Sequence, residues 1–103
     1  MTSSTYIANL LRRHGLEDAP TLSDALPDWA EDAQREWFAA AWPLFAAQAT
    51  RIERHLSPEG GESVYRIDDA RLLVSDDIWC FEVIASPGLL VRIADAMRKL
   101  RNA

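Results

Sequence analysis

Residues 37–56 read WFAAAWPLFAAQATRIERHL, and this stretch decides how the rest of the chain is interpreted. Its apolar side chains include a set that recurs at alternating intervals of four and three residues, the spacing of one face of an α-helix. The positions concerned are Phe38, Trp42, Phe45, Ala49, Ile52 and Leu56. The spacing therefore predicts a long helix that begins near Asp28 and ends at about Leu56.

Pro43 interrupts this pattern. Proline has no backbone N–H to bond the carbonyl four residues back, and it disfavours helical geometry at the residue before it, here Trp42. The helix either kinks at Pro43 or breaks near Trp42. The alanine-rich flanks favour a single kinked helix.

A second apolar set lies about 100° around the same helix. Its members are Ala30, Ala33, Trp37, Ala41 and Leu44. Between residues 37 and 47 the helix is therefore apolar around most of its circumference, whereas one sheet can cover only one side. Either the terminal helices cover the rest, or part of this surface docks a second copy or another protein.

The remaining segments complete an α+β fold. Residues 63–67, 71–74 and 78–84 are rich in β-branched and aromatic residues and are separated by two Asp-Asp pairs, which predicts a three-stranded antiparallel meander. A helix precedes Gly15, a short turn ends at Pro27, and Ser86-Pro87 opens a C-terminal helix. We expect one domain over residues 1–103, with a helical part (1–56), the sheet (63–85) and a C-terminal helix (86–103), and with the helices on one face of the sheet.

Composition excludes several classes of protein. The chain has 103 residues, 11 Lys+Arg against 16 Asp+Glu, a net charge of −5 and 49% hydrophobic residues. This argues against a disordered chain and against binding of nucleic acid through its phosphates. No apolar run reaches the roughly 20 residues of a membrane span, and the N-terminus lacks the pattern of a secretory signal. The single cysteine, Cys80, excludes an internal disulfide and suits a cytoplasmic location.

The acidic residues concentrate in residues 17–36, where seven carboxylates face only Arg35. One interpretation is that they cap helices or are simply solvated. The other is that they form a negative face that steers the protein towards a partner or imitates nucleic acid, with Trp29 as an anchor. The candidate steering residues are Asp28, Glu31, Asp32 and Glu36.

No pattern in the sequence indicates an enzyme, a cofactor or a metal. His14 and His55 are far apart with no cysteine nearby, and the Asp pairs lack the ligand spacing of a calcium loop. Cys80 is expected in the middle of a strand, where a cysteine is usually an inert apolar residue. The main helix offers Ala, Trp and Phe rather than the polar side chains that read DNA, so direct nucleic-acid binding is not expected.

These observations favour a small acidic regulator or inhibitor, bacterial or from a phage, that occupies an interface of a partner protein. Antiactivators, phage-type inhibitors and immunity proteins are analogous in size and charge only. The candidate partner-binding residues are Trp29, Trp37, Phe38, Trp42, Leu44, Phe45 and Ile52. A homodimer is expected through the same helix. The alternatives are a secretion or assembly chaperone and an inhibitor that mimics nucleic acid.

Overall fold

A four-stranded antiparallel sheet with helices before and after it forms the architecture of the computed structural model, which describes residues 2–103 and the side chains from residue 7 onward. The elements in chain order are α1 (Thr2–Arg13), α2 (Leu22–Ala25), α3 (Glu31–Ala41), α4 (Pro43–Ala46), β1 (Ala49–Ser57), β2 (Gly60–Ile67), β3 (Ala70–Asp77), β4 (Phe81–Ala85) and α5 (Pro87–Arg101). The expected α+β class is confirmed.

The sheet is a simple meander in the order β1-β2-β3-β4. Pro58 and Glu59 make the turn between β1 and β2, Asp68 and Asp69 make the next, and residues 78–80 connect β3 to β4. Asp68 has a positive φ of 54°, a conformation that Asp tolerates better than most residues. The outer edge of β4 is partly closed by an antiparallel bridge from Thr21 to Ile84.

Apolar side chains alternate between the two faces of the sheet and build two cores. The larger core contains Leu72 and Val83 of the sheet, together with residues of α2 to α5 such as Leu22, Phe38 and Ile93. The smaller core, on the opposite face, joins α1 and the residues after it to the sheet. Its buried members are Leu10, Leu16, Val64, Leu73 and Ile84.

The expectation that all helices pack on one face is therefore wrong. Val64, Leu73 and Ile84 pair across three neighbouring strands and present a continuous apolar strip on the second face. Leaving that strip in water would forfeit about 1.5–3 kcal/mol for each side chain. α1 covers the strip through Leu10.

The predicted long kinked helix is also wrong. α3 ends at Ala41, Trp42 forms a turn, and the short α4 starts at Pro43, the first helical position that proline prefers. Residues 49–57, expected to continue the helix to Leu56, instead form β1, which pairs with β2 from Ala49↔Ile67 to Ser57↔Gly60. The meander consequently has four strands rather than three.

The sequence pattern did not predict β1 because β1 is an edge strand. Most of its side chains are exposed, so it shows no alternation of apolar and polar residues. A β-bulge between Arg51 and Glu53 leaves Ile52 as the extra residue and further disturbs the period. The apolar residues 49, 52 and 56 match a helical spacing only by coincidence.

The last predicted strand begins too early. Ile78, Trp79 and Cys80 form the connection between β3 and β4 and are exposed, whereas the strand starts at Phe81. Cys80 is therefore not in the middle of a strand. Asp76 and Asp77, expected in a turn, lie at the end of β3.

The C-terminal helix agrees with the expectation. Pro87 occupies its first turn, whereas Ser86, the residue before it, makes no capping hydrogen bond with its side chain. None of the helices formed by residues 2–103 has the length and hydrophobicity needed to cross a bilayer.

Candidate functional site

An open groove of about 330 Å³ lies between α3 and the adjoining face of the sheet. Aromatic rings form most of its walls, and we call it the aromatic groove. Its lining residues are Arg35, Phe38, Ala39, Trp42, Gly61, Ser63, Tyr65, Val74, Asp76 and Phe81. A concave, mostly apolar surface with a few polar groups is typical of a binding site.

The rings of the aromatic groove contact one another in a continuous series. Phe38 and Trp42 stack with their centroids 5.7 Å apart and an interplanar angle of 24°. Trp42 meets Tyr65 of β2 at 4.8 Å, and Phe38 meets Phe81 of β4 at 5.7 Å. Phe38 and Phe81 are buried, while Trp42 and Tyr65 are half-buried and expose part of their surface to the groove. Phe38 and Phe81 therefore support the half-buried rings from below.

Arg35 supplies the charged end of the groove. Its guanidinium lies 3.0 Å from a carboxylate oxygen of Asp76, 3.4 Å from one of Asp32 and 3.8 Å from one of Glu31. It also lies 5.5 Å from the centroid of the Phe81 ring. Because three carboxylates share one guanidinium, the mouth of the groove carries net negative charge.

Glu31 also ties the start of α3 to the sheet. Its Oε1 accepts a hydrogen bond of 2.7 Å from the backbone N–H of Phe81. This bond satisfies an N–H at the first residue of β4, and a charged acceptor makes it stronger than an ordinary hydrogen bond. Glu31 is therefore a structural residue as well as an acidic surface residue.

Three large apolar side chains are exposed where the sheet ends next to the groove. Leu56, Ile78 and Trp79 are 70%, 71% and 79% exposed, and we call them the sheet tip. The Ile78 N–H donates to the Glu59 carbonyl at 2.9 Å, so the β1–β2 turn and the β3–β4 connection touch. Leu56 lies over Gly61, a lining residue of the aromatic groove. The sheet tip and the groove thus adjoin.

The backbone of the sheet tip is held by hydrogen bonds. The Oδ1 of Asp77 accepts from the N–H groups of Trp79 and Cys80, each at 2.8 Å. The Asp77 N–H donates to the Cys80 carbonyl at 3.0 Å. Ile78 and Trp79 are consequently displayed to solvent by an ordered connection.

Cys80 lies in the same connection, but its surroundings disfavour a reactive thiolate. Desolvation and then the negative charge of Asp77 raise the pKa of the Cys80 thiol. A thiol nucleophile needs the opposite shift.

The predicted partner-binding residues do not share one surface. Phe38 and Phe45 are buried in the larger core, and Trp29, Trp37 and Trp42 pack against it half-buried. Leu44 on α4 and Ile52 at the β1 bulge are 61% and 38% exposed. Of the seven, only Phe38 and Trp42 line the aromatic groove.

Two of the predicted anchors are instead covered by arginines. The Arg101 guanidinium lies 4.3 Å from the centroid of Trp29, and that of Arg92 lies 5.7 Å from the centroid of Phe45. Both arginines belong to α5, so these contacts attach α5 to the connection between α2 and α3 and to α4.

The predicted steering residues are all exposed. Glu31 and Asp32 lie at the mouth of the groove, because both form ion pairs with Arg35, which lines it. The Asp32 side chain is 98% exposed. No ion pair joins Asp28 or Glu36 to the other described residues. The negative charge near the groove therefore comes from Glu31, Asp32 and Asp76, the last of which the sequence did not single out.

Sequence reasoning missed Tyr65 and Phe81 in the groove and Leu56, Ile78 and Trp79 at the sheet tip. Tyr65 and Phe81 meet Trp42 and Phe38 only through strand register, which no local pattern reveals. The sequence did contain a signal that Ile78 and Trp79 lie in a connection rather than in a strand, since they directly follow two aspartates, which favour turns.

A separate charged cluster surrounds Glu53 on the opposite face of the sheet. Its carboxylate oxygens lie 2.7 Å from the Arg13 guanidinium and 2.6 Å from Nε2 of both His14 and His55. Hydrogen bonds with His55 and His14 lower the pKa of Glu53. Within residues 2–103, no group of His, Cys, Asp and Glu has the arrangement of a metal site. The cluster fastens the end of α1 to β1.

Comparison of the chain with protein-family models, with curated proteins and with solved structures finds no match.

Proposed function

We propose that the protein is a small regulator or inhibitor that binds another protein through the sheet tip and the adjoining aromatic groove. The observation that carries this proposal is the exposure of Leu56, Ile78 and Trp79 on one ordered end of the sheet. Large apolar side chains gathered on a surface are typical of interaction sites. Tryptophan is among the residues that contribute most to binding energy at interfaces.

The charge around the groove favours a partner segment of defined chemistry. Arg35 is already shared by Glu31, Asp32 and Asp76, so the mouth of the groove attracts cations. We expect a partner segment that carries an aromatic or large aliphatic side chain next to Lys or Arg. The apolar group would pack on Trp42 and Tyr65, and the basic group would contact the acidic mouth.

Occupation of the partner's own interface is the proposed mode of action. It requires no catalytic group and no cofactor from this chain, and it is compatible with self-association through the same surface. A reducing, cytoplasmic setting is part of the proposal, because Cys80 is exposed and is the only cysteine in the sequence.

The decisive experiment compares three baits in a pull-down from the native host, read by quantitative mass spectrometry. The baits are the wild type, the tip variant I78S/W79S and the control V91S. Val91 lies on α5 and is 58% exposed, so it is an apolar surface residue away from the sheet tip. A partner should be retained by wild type and V91S and reduced at least about tenfold by the tip variant, which corresponds to about 1.4 kcal/mol.

A partner retained equally by all three baits would contradict the proposal. A charge variant, D28K/D32K/E36K, separates it from mimicry of nucleic acid; Glu31 is left intact because it bonds the Phe81 N–H. If the charge variant loses the partner while I78S/W79S keeps it, electrostatic mimicry is the better explanation. Loss that is strongest with the tip variant and only moderately dependent on salt supports docking through apolar groups.

A further inference from the structure

Arg66 and Arg71 form a pair of like charges on the face of the sheet that carries α1. They are direct partners in the register of β2 and β3. Neither guanidinium makes an ion pair with a described residue, and residues 1–6 contain no Asp or Glu. Arg35, in contrast, is shared by three carboxylates. The chain thus places two cations side by side, neither of them in an ion pair with a described residue.

Like charges directly opposite each other on neighbouring strands destabilise a sheet. At a few ångströms in water the repulsion is about 1 kcal/mol. An anion that contacts both guanidinium groups would remove this repulsion and add charge-assisted hydrogen bonds. Guanidinium groups suit phosphate in particular, because their planar donors match its oxygen geometry.

Both arginines line an open cleft of about 640 Å³, together with Gln48, Thr50, Asp68 and Asp69. Thr50 is the register partner of Arg66 on β1, so Thr50, Arg66 and Arg71 form a row across three strands. The threonine hydroxyl and the glutamine amide add neutral donors. Asp68 and Asp69 sit in the turn and form no ion pair with either arginine. Their charges offset those of the two arginines, so the cleft is neutral overall, which disfavours long polyanions.

The N-terminal end of α5 is hydrogen-bonded to the backbone of Arg71. The Ser86 Oγ accepts a hydrogen bond from the Arg71 N–H at 3.1 Å, and the Ser86 N–H donates to the Arg71 carbonyl at 3.1 Å. α5 begins at the next residue, Pro87, so the positive end of its dipole lies beside the backbone of Arg71.

We propose that Arg66 and Arg71, with Thr50 and Gln48, bind a phosphate-class oxyanion in this cleft. The site lies on the other face of the sheet from the aromatic groove and is independent of the proposed protein-binding function. The shared chemistry is a dianionic phosphate group, either free or as a small monoester.

The test is an NMR titration of the full chain with inorganic phosphate at constant ionic strength, balanced with chloride, and a second titration with glycerol phosphate. Saturable shifts are expected at the side-chain Nε–Hε signals of Arg66 and Arg71 and at the amide of Thr50. R66Q and R71Q should each weaken binding at least about fivefold. R54Q is the matched control, because Arg54 is exposed on the neighbouring strand and faces the other side of the sheet. Tighter binding of glycerol phosphate than of phosphate would identify a monoester as the ligand, and the reverse would identify the free ion.

Thermal unfolding separates binding from a purely structural role. Without phosphate, R66Q should unfold at the same temperature as wild type or higher, because the like-charge repulsion is removed. With phosphate, the wild type and R54Q should gain stability and R66Q should not. Linear shifts without saturation, or equal weakening by R54Q and R66Q, would overturn the proposal.

Discussion

Glu53 connects two elements through a single carboxylate. Its neighbours Arg13 and His14 end α1 and follow it, while His55 lies two residues away on β1. The Glu53 side chain is 20% exposed, so solvent screens these contacts less than those on the open surface. We expect this residue to control how firmly the end of α1 is attached.

Glu53→Gln is expected to lower the free energy of unfolding by about 1 kcal/mol at pH 7, because a charged acceptor is lost. The pKa of Glu53 is lowered in the folded state, so its stabilisation is present at neutral pH and is lost as the pH falls through that lowered value. Urea unfolding at several pH values should show the difference between E53Q and wild type shrinking below about pH 4. Glu36→Gln, at an exposed carboxylate, is the control. A difference that stays constant from pH 7 to pH 3 would show that the charge of Glu53 is not the cause.

Phe38 and Trp79 are aromatic residues with opposite roles. Phe38→Ala is expected to cost about 3–5 kcal/mol, because Phe38 is buried in the larger core. Trp79→Ala should change stability by less than about 0.5 kcal/mol, because its side chain is 79% exposed. Urea unfolding of both variants measures the contrast. A large loss of stability in Trp79→Ala would mean that the sheet tip supports the fold rather than a partner.

At the scale of the element, the β1–β2 hairpin depends on glycine. Gly60 has a φ of 149°, and a Cβ there would meet the Asp76 carbonyl and the backbone of Asp77. β2 therefore approaches β3 more closely at this position than a side chain allows. Gly88, near the start of α5, has open space around it.

Gly60→Ala is consequently expected to destabilise the fold by more than about 2 kcal/mol, because the new methyl group meets backbone atoms that cannot move aside. Gly88→Ala should stabilise it by about 0.5 kcal/mol, since alanine favours the helix. Chemical denaturation of both variants tests the pair. Equal effects of the two substitutions would show that the close approach at Gly60 does not constrain the hairpin.

Local chemistry predicted some elements and failed for others. Ser86-Pro87 marked the start of α5 and Asp68-Asp69 marked a turn, because each signal lies within the residues that form the feature. β1 could not be recognised, because its backbone is specified by pairing with β2 while its exposed side chains carry no period. Pro43 left a kink and a break as alternatives, and the favoured kinked helix was wrong, because the conformation of the chain after Pro43 depends on pairing with a strand that lies outside the local pattern.

At the scale of the whole molecule, the two cores differ in size. α1 relies on five buried residues of the smaller core and on Glu53, whereas α5 contributes five buried residues of its own to the larger core. Segments with few buried contacts open most readily. α1 should therefore be the least firmly held of the longer helices.

Amide hydrogen exchange of the full chain tests this difference. Amides of α1 from residue 7 onward should exchange at least about tenfold faster than those of α5, which corresponds to about 1.4 kcal/mol of lower opening free energy. Leu10→Ala should widen the gap, because Leu10 is fully buried in the smaller core. Equal exchange rates in both helices would show that the two cores open as a single cooperative unit.

The candidate site was only partly predictable at this scale. Trp42 and Phe38 stood out as an aromatic pair on a helix, but Tyr65 and Phe81 join them through the register of β2 and β4. Phe45, a candidate partner-binding residue, is buried in the larger core, and Trp79, expected within the last strand, is exposed in the β3–β4 connection. Burial depends on how elements pack, and the error over β1 changed that packing.

The bridge between Thr21 and Ile84 constrains the order in which the chain can mature during translation. The ribosome releases α1 and α2 long before it has made β4. Each strand of the meander can pair with the strand before it as soon as it has been made. The apolar side of α1, in contrast, packs against residues of β2, β3 and β4, so it has no surface to bury against until the sheet is almost complete. α1 is thus accessible to chaperones and proteases until the strands that it covers have been made.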